Sequence, residues 1–418
     1  MNRTSRIRPA VGCTLLVMTL VAAATACGAS GDHPLAEKPY DAVDEISSNA
    51  RDGDAKVVPG RPLEVTVKGD DGRITDVSAV DTTGRHLAGE LDADGRRWHS
   101  TMPLAAGAKY TVRVSTEDED GAPGARTLSF GTTSAKELLE VSFGPRTGTY
   151  GVGQPLTAQL SAPVADKASR ARVERGLRVR STPAVTGSWY WVDDQTLHYR
   201  PEAYWPARAS IEVSSALAGV KLTDTLYGAP TKALRLTTGA RVEALTDAVA
   251  HTMTVKRDGK VINTIPVTTG KPGFATRNGV KVVLEKEYYV RMRGETIGIA
   301  QGSSDSYDLP VYYATRVTWS GEYVHAAPWS TGSQGYANVS HGCTGMSTGQ
   351  AEWFYNTVRP GDLVTVVGSQ GETMTPFDNG FGDWNLSWAQ WLKGSALQNS
   401  TAPDRTETIQ AARLRPEV

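Results

Sequence analysis

The chain has 418 residues, with 44 Lys and Arg against 45 Asp and Glu and a formal net charge of −1. That length exceeds one ordinary domain and provides for about three. The even charge balance, without a block of one sign, excludes a nucleic-acid or anionic-surface binder recognised by charge and points to a partner met in a cleft.

Residues 1–26 read as an export signal. Arg3, Arg6 and Arg8 form a basic start, and residues 11–26 form an apolar run shorter than the roughly 20 residues of a membrane span. The run ends in ATACG (24–28), which resembles a bacterial lipobox, where cleavage leaves an N-terminal cysteine to be acylated. On that reading Cys13 leaves with the signal. Cys27 carries a lipid that is the only membrane contact of an extracytoplasmic protein. A plain secreted protein and an uncleaved anchor are the alternatives.

Residues 27–55 are polar, small and aperiodic, as a flexible tether is. From 56 to 135, short alternating runs such as LEVTV (63–67) and YTVRV (110–114), parted by Gly and Asp clusters, predict a small antiparallel sandwich. Residues 136–239 repeat the pattern: WHSTMP before YTVRV has a counterpart in LHYRP before SIEV, and LSFGTTSA in LRLTTGA. Two tandem immunoglobulin-like sandwiches follow from that repetition, with a stalk as their default role.

A third β-rich region is expected at 240–370. In it MTVKRDGKVINTIPVTTG (253–270) predicts a hairpin turning at Asp-Gly, and KVVLEKEYYVRM (281–292) predicts a further strand. The irregular stretch around Gln301 to Tyr313 has the composition of a lid. In residues 371–395, Trp384, Trp388 and Trp391 fall at helical spacing with Asp383 as the expected cap. A packing face against a neighbouring domain is the expected role of the three indoles, and a carbohydrate platform the rival. Residues 396–418 are expected to be a disordered tail. The fold class is therefore mainly β: two sandwiches, a β catalytic domain and a short helical piece.

Chemistry concentrates in VSHGCTGMS (339–347). Beyond the signal and Cys27, Cys343 is the sole thiol and has no disulfide partner. An exported domain needing only a small apolar filler is better served by Ala or Val, which do not oxidise. A thiol becomes a nucleophile when ionised, and imidazole both favours the anion and takes its proton. Of seven histidines, only His325 and His341 lie within 20 residues of Cys343. On a strand His341 would share its face, whereas His325 needs the fold to bring two strands together, so spacing does not choose the base. Gly342 allows backbone amides to approach a substrate carbonyl. Zinc is the rival chemistry, but H-x-C supplies two close donors and no second Cys lies nearby, so neither metal nor cofactor is expected.

The run HAAPWSTGSQGYANVSHGCTGMS (325–347) resembles the active-site motif of the L,D-transpeptidases, and TTGKPGFATRNG (268–279) resembles an earlier segment of that catalytic domain. The whole mature organisation is similar to the multi-domain actinobacterial form. The resemblance implies Cys343 as nucleophile, His325 as its base and ion-pair partner, and His341 with Gly342 and the Cys343 amide around an oxyanion pocket. It adds Ser340, Trp319, Tyr307, Tyr313 and Ala326 as candidates for oxyanion or substrate contact. It further implies attack on the bond between the diamino acid at stem position three of peptidoglycan and D-Ala, release of D-Ala, and transfer to another stem's side-chain amine as a 3-3 cross-link. Inhibition by carbapenem-type β-lactams is also implied. This sequence departs at Gly345, where Asn is usual, at Ala326 (Ser), Trp319 (Tyr) and Arg277 (Pro). A carboxypeptidase or D-amino-acid exchange on the same stem, and a non-catalytic wall-binding protein, are the competing functions.

Overall fold

The computed structural model describes residues 39–69 and 72–397. The export signal, Cys27 and the residues from 398 onward lie outside these.

The first sandwich packs a sheet ordered Tyr40–Asp41, Pro123–Gly131, Lys109–Asp118, Gly72–Asp81 on one ordered Ile46–Ser48, Pro62–Val67, Arg97–Pro103, Gly89–Leu91. Tyr110, Val112 and Val114 alternate inward from Lys109–Asp118 and meet Leu63, Val65, Trp98 and Phe130. That is the period-2 pattern of a strand half in contact with a core. The expected tether stops short of residue 55. Ala42, Ile46 and Ala50 are buried, and the segment adds a short strand to each sheet, because three small or apolar residues suffice where the pattern is too brief to read.

The second sandwich has the same plan, with Val141–Gly144, Leu156–Leu160, Thr196–Pro201 and Gly187–Trp191 facing Thr149–Tyr150, Leu234–Thr238, Ser210–Ser215 and Leu177–Thr182. It carries a helix that the sequence reading lacked, α1 (Lys167–Gly176), started by Asp166 accepting from the Ser169 amide.

The third region joins a five-stranded sheet to a four-stranded one. The first runs Lys260–Pro266, Thr252–Arg257, Val242–Asp247, Leu363–Val367, Gly279–Val282; the second runs Glu285–Arg293, Asp308–Arg316, Tyr323–Ala326, Thr344–Met346. Asp258 and Gly259 both have positive φ, 49° and 80°, as a two-residue hairpin of primed type requires. The strand expected over 281–292 is two strands: the chain leaves one sheet after Val282 and enters the other at Glu285. Helix α2 (Thr348–Thr357) is capped by Ser347 and buries Ala351 and Phe354 against the second sheet.

These parts interlock. Gly151 and Gly153 donate to the carbonyls of Pro360 and Gly361 at 2.8 and 2.9 Å, and Val282 and Leu363 share one apolar cluster with Leu156 and Trp205. The three tryptophans surround Arg200 of the second sandwich, whose guanidinium carbon lies 4.8, 5.5 and 4.6 Å from the rings of Trp384, Trp388 and Trp391. This is the packing role expected of them. Asp383, however, is no helix cap: it bonds His198 Nδ1 at 2.7 Å, while Ser387 caps the shorter α3 (Trp388–Leu392). Ala396, assigned to the tail, is buried and donates to Glu174 at 2.8 Å.

Candidate active site

Two neighbouring strands carry the two reactive groups. Tyr323–Ala326 and Thr344–Met346 run parallel with Val324 opposite Thr344 and His325 opposite Gly345. Cys343 stands at the entry to the second strand. Its sulfur and the imidazole line one cavity of about 270 Å³ with Met292, Tyr307, Leu309 and Trp329. The fold thus performs the approach of strands that spacing left open.

His325 is buried, and its Nδ1–H donates to the Ala326 carbonyl at 2.8 Å. A carbonyl only accepts, so this bond fixes the neutral tautomer and leaves Nε2 as the basic nitrogen. The backbone of Ala326 therefore orients the ring where a side-chain hydroxyl is absent. His341 also lines the cavity, but its ring packs on Phe274 and Tyr307, and Nε2 lies 3.5 Å from Asp305.

The Cys343 thiol donates to the Gly321 carbonyl at 3.5 Å. Burial pushes it up to about 12, and burial also pushes His325 down. Both effects favour the neutral forms of the two groups.

The loop that carries Cys343 is tied by its own atoms. Ser340 Oγ donates to the Cys343 carbonyl at 2.6 Å and accepts from the Gly342 amide at 3.1 Å. Gly342 has φ +120°, a conformation that L side chains rarely adopt. Its amide is engaged with Ser340, so it is not a free donor to an oxyanion.

Residues 294–307 connect the strands Glu285–Arg293 and Asp308–Arg316, and Tyr307 at their end lines the cavity. The stretch expected as a lid was displaced, since 308–313 is strand. Pro310 there faces Arg291 in the only pairing that part of the strand makes, and an edge tolerates a residue without N–H. Asp305 ties this connecting segment to Lys271, whose Nζ donates to it at 2.5 Å.

Of the remaining expected residues, Tyr307 and Ser340 line the cavity, whereas Tyr313 and Trp319 do not. Tyr313, at φ 52°, packs on Tyr288 and Tyr355 outside it, and Trp319 is exposed in a turn before Gly321. The sequence reading missed the apolar wall of Met292, Leu309 and Val311. Its alternation along two strands was the available signal.

A bacterial Ig domain profile matches residues 54–221, and an L,D-transpeptidase catalytic domain profile matches residues 241–366. The chain is 33% identical over 402 residues to L,D-transpeptidase 2 of Mycobacterium tuberculosis (strain CDC 1551 / Oshkosh), covering 94% of this chain and 97% of that protein. It is 32% identical over 371 residues to L,D-transpeptidase 5 of Mycobacterium tuberculosis (strain ATCC 25618 / H37Rv), covering 87% and 79%. A solved L,D-transpeptidase in complex with imipenem is 39% identical, with a TM-score of 0.47, and covers 55% of this chain and 100% of its own.

Proposed function

Because the chain belongs to the L,D-transpeptidase family, we propose that Cys343 carries its acyl transfer with His325 as base, on peptidoglycan stem peptides. The observation that carries this reading is the pairing of the two strands, which opens thiol and imidazole into one cavity while His325 Nδ1–H is committed to Ala326.

The thiol proton passes to His325 Nε2 as sulfur attacks the carbonyl of stem residue three. The C–N bond to D-Ala then breaks, and the same proton goes to the departing amine. The thioester is next attacked by the side-chain amine of a second stem; His325 takes that amine's proton and returns it to the sulfur as the 3-3 bond forms. The Asp305–Lys271 pair holds residues 294–307 as a lid over the thioester, and excluding water favours the amine.

The soluble domains incubated with disaccharide-tetrapeptide should release D-Ala and give a cross-linked dimer by mass spectrometry. Cys343→Ala should give neither. Tripeptide without dimer would instead assign a carboxypeptidase, and no product a binding protein. A carbapenem carries a strained carbonyl suited to the same sulfur, so intact mass should show one adduct, absent from Cys343→Ala and much slower to form in His325→Ala. Location outside the membrane through a lipid on Cys27 belongs to the same reading. Cys27→Ala should release the chain from membrane fractions; retention with the signal uncut would refute the anchor.

A further inference from the structure

Behind the nucleophile lies a charge cluster that the acyl-transfer chemistry does not use. Lys281 is fully buried on Gly279–Val282, and its Nζ bonds Glu322 Oε2 at 2.5 Å. Glu322 Oε1 accepts from both the amide and the guanidinium of Arg277, each at 3.0 Å. Arg277 is the residue that stands where the resemblance expects Pro, so this departure has a structural counterpart.

Glu322 is also placed against the thiol. Gly321 before it accepts the Cys343 S–H at 3.5 Å, and Tyr323 after it opens the strand that pairs with Thr344–Met346. A Cβ built on Gly342 would lie 4.0 Å from Glu322 Cγ, so the side chain runs beneath the nucleophile loop. Burying an ion pair costs more desolvation than apolar filling of the same space, so stability alone is a poor reason for one here.

We infer that Glu322 and Lys281 are positioning residues that set the readiness of the Cys343 thiol, the carboxylate holding its proton at rest and the ammonium limiting that hold. This rests on Cys343 being the nucleophile of the reaction proposed above. The groups facing the sulfur act as follows. Glu322 opposes the thiolate and Lys281 favours it, while His325, His341 and Tyr307 line the cavity on the other side. Oxidation proceeds through the thiolate, so an exported lone thiol kept protonated between turnovers is spared.

The two variants Glu322→Gln and Lys281→Met, made in the full soluble chain, test this through the pH dependence of Cys343 alkylation by iodoacetamide. Glu322→Gln should move the midpoint down, speeding alkylation and peroxide oxidation about tenfold at neutral pH. Lys281→Met should move it up and slow both. A merely structural pair breaks in either variant, and both midpoints would then shift the same way; that result overturns the inference. If Lys281→Met does not fold, Glu322→Gln decides alone, since an unchanged or raised midpoint refutes the proposal. Alkylation reads the thiol directly. Loss of tetrapeptide turnover in the unmodified protein would therefore sink the enzymatic reading without altering this measurement.

Discussion

Gly345 has no room for the Asn that the resemblance expects. A Cβ there would meet Ala327 Cβ at 2.9 Å and Thr268 Cγ2 at 3.1 Å, and its N–H and C=O are both bonded to Thr268. The loop is held by the backbone instead. Gly345→Asn should thus lower stability by about 1–3 kcal/mol and leave carbapenem acylation no faster. Thermal melts and acylation kinetics check this, and a tenfold gain in rate would show an unfilled need for the amide. Asp362 provides a second test. It is fully buried with Oδ1 unbonded, and burial raises it to about 7 from 3.8. Its folded-state value is thus above the unfolded one, so its contribution is present below about pH 4 and lost as pH rises through 7. The cost above that is on the order of 4 kcal/mol. Asp362→Asn should melt higher than the parent at pH 8 and show little advantage at pH 4. At this scale Cys343, His325 and Ala326 were legible because they sit in one local motif. The bonds from Glu322 to Arg277 and Lys281 span 45 and 41 residues and left no local trace.

A tied connection and a strand exchange decide what the elements do. Residues 294–307 are held by Lys271–Asp305, both ends part-exposed, with Tyr307 against His341 beneath. An exposed pair contributes about 0–1 kcal/mol. Asp305→Asn should therefore leave the melting temperature nearly unchanged while amide exchange over 294–307 speeds up and the acyl-enzyme hydrolyses faster. High salt should reproduce part of the effect in the parent. Alternation named most strands, since Lys109–Asp118 and Thr252–Arg257 each press one face on a core. It failed at 281–292 because a chain that crosses between sheets keeps its β composition throughout. It failed at α1 because Lys167–Gly176 is rich in arginine and small residues, with a weak apolar stripe.

Across the molecule, the second sandwich, the catalytic sheets and the C-terminal piece form one clasped unit. Trp391 is fully buried and its Nε1–H donates to Ser188, Trp384 donates to Gly153, and Arg200 donates to Leu386. Trp391→Ala should cost about 3–5 kcal/mol and split a single calorimetric transition into two, as sandwich and catalytic region unfold apart. A single transition shifted downward would mean that the Gly151 and Gly153 contacts couple the parts without the clasp. The three indoles were legible as a face; the arginine that they enclose was not, because it lies 184 residues before Trp384 in the chain.

The clasp also imposes a timetable. Glu174 bonds the Ala396 amide across 222 residues, and Gly153 waits for Trp384 across 231. At about 5–20 residues per second of synthesis, the second sandwich, whose last strand ends at Thr238, is complete for roughly 8–32 s before its last partners exist. Through that interval Glu174, His198 and Arg200 stand without the groups that cover them. The newborn chain therefore offers proteases and chaperones a surface that the finished protein never shows.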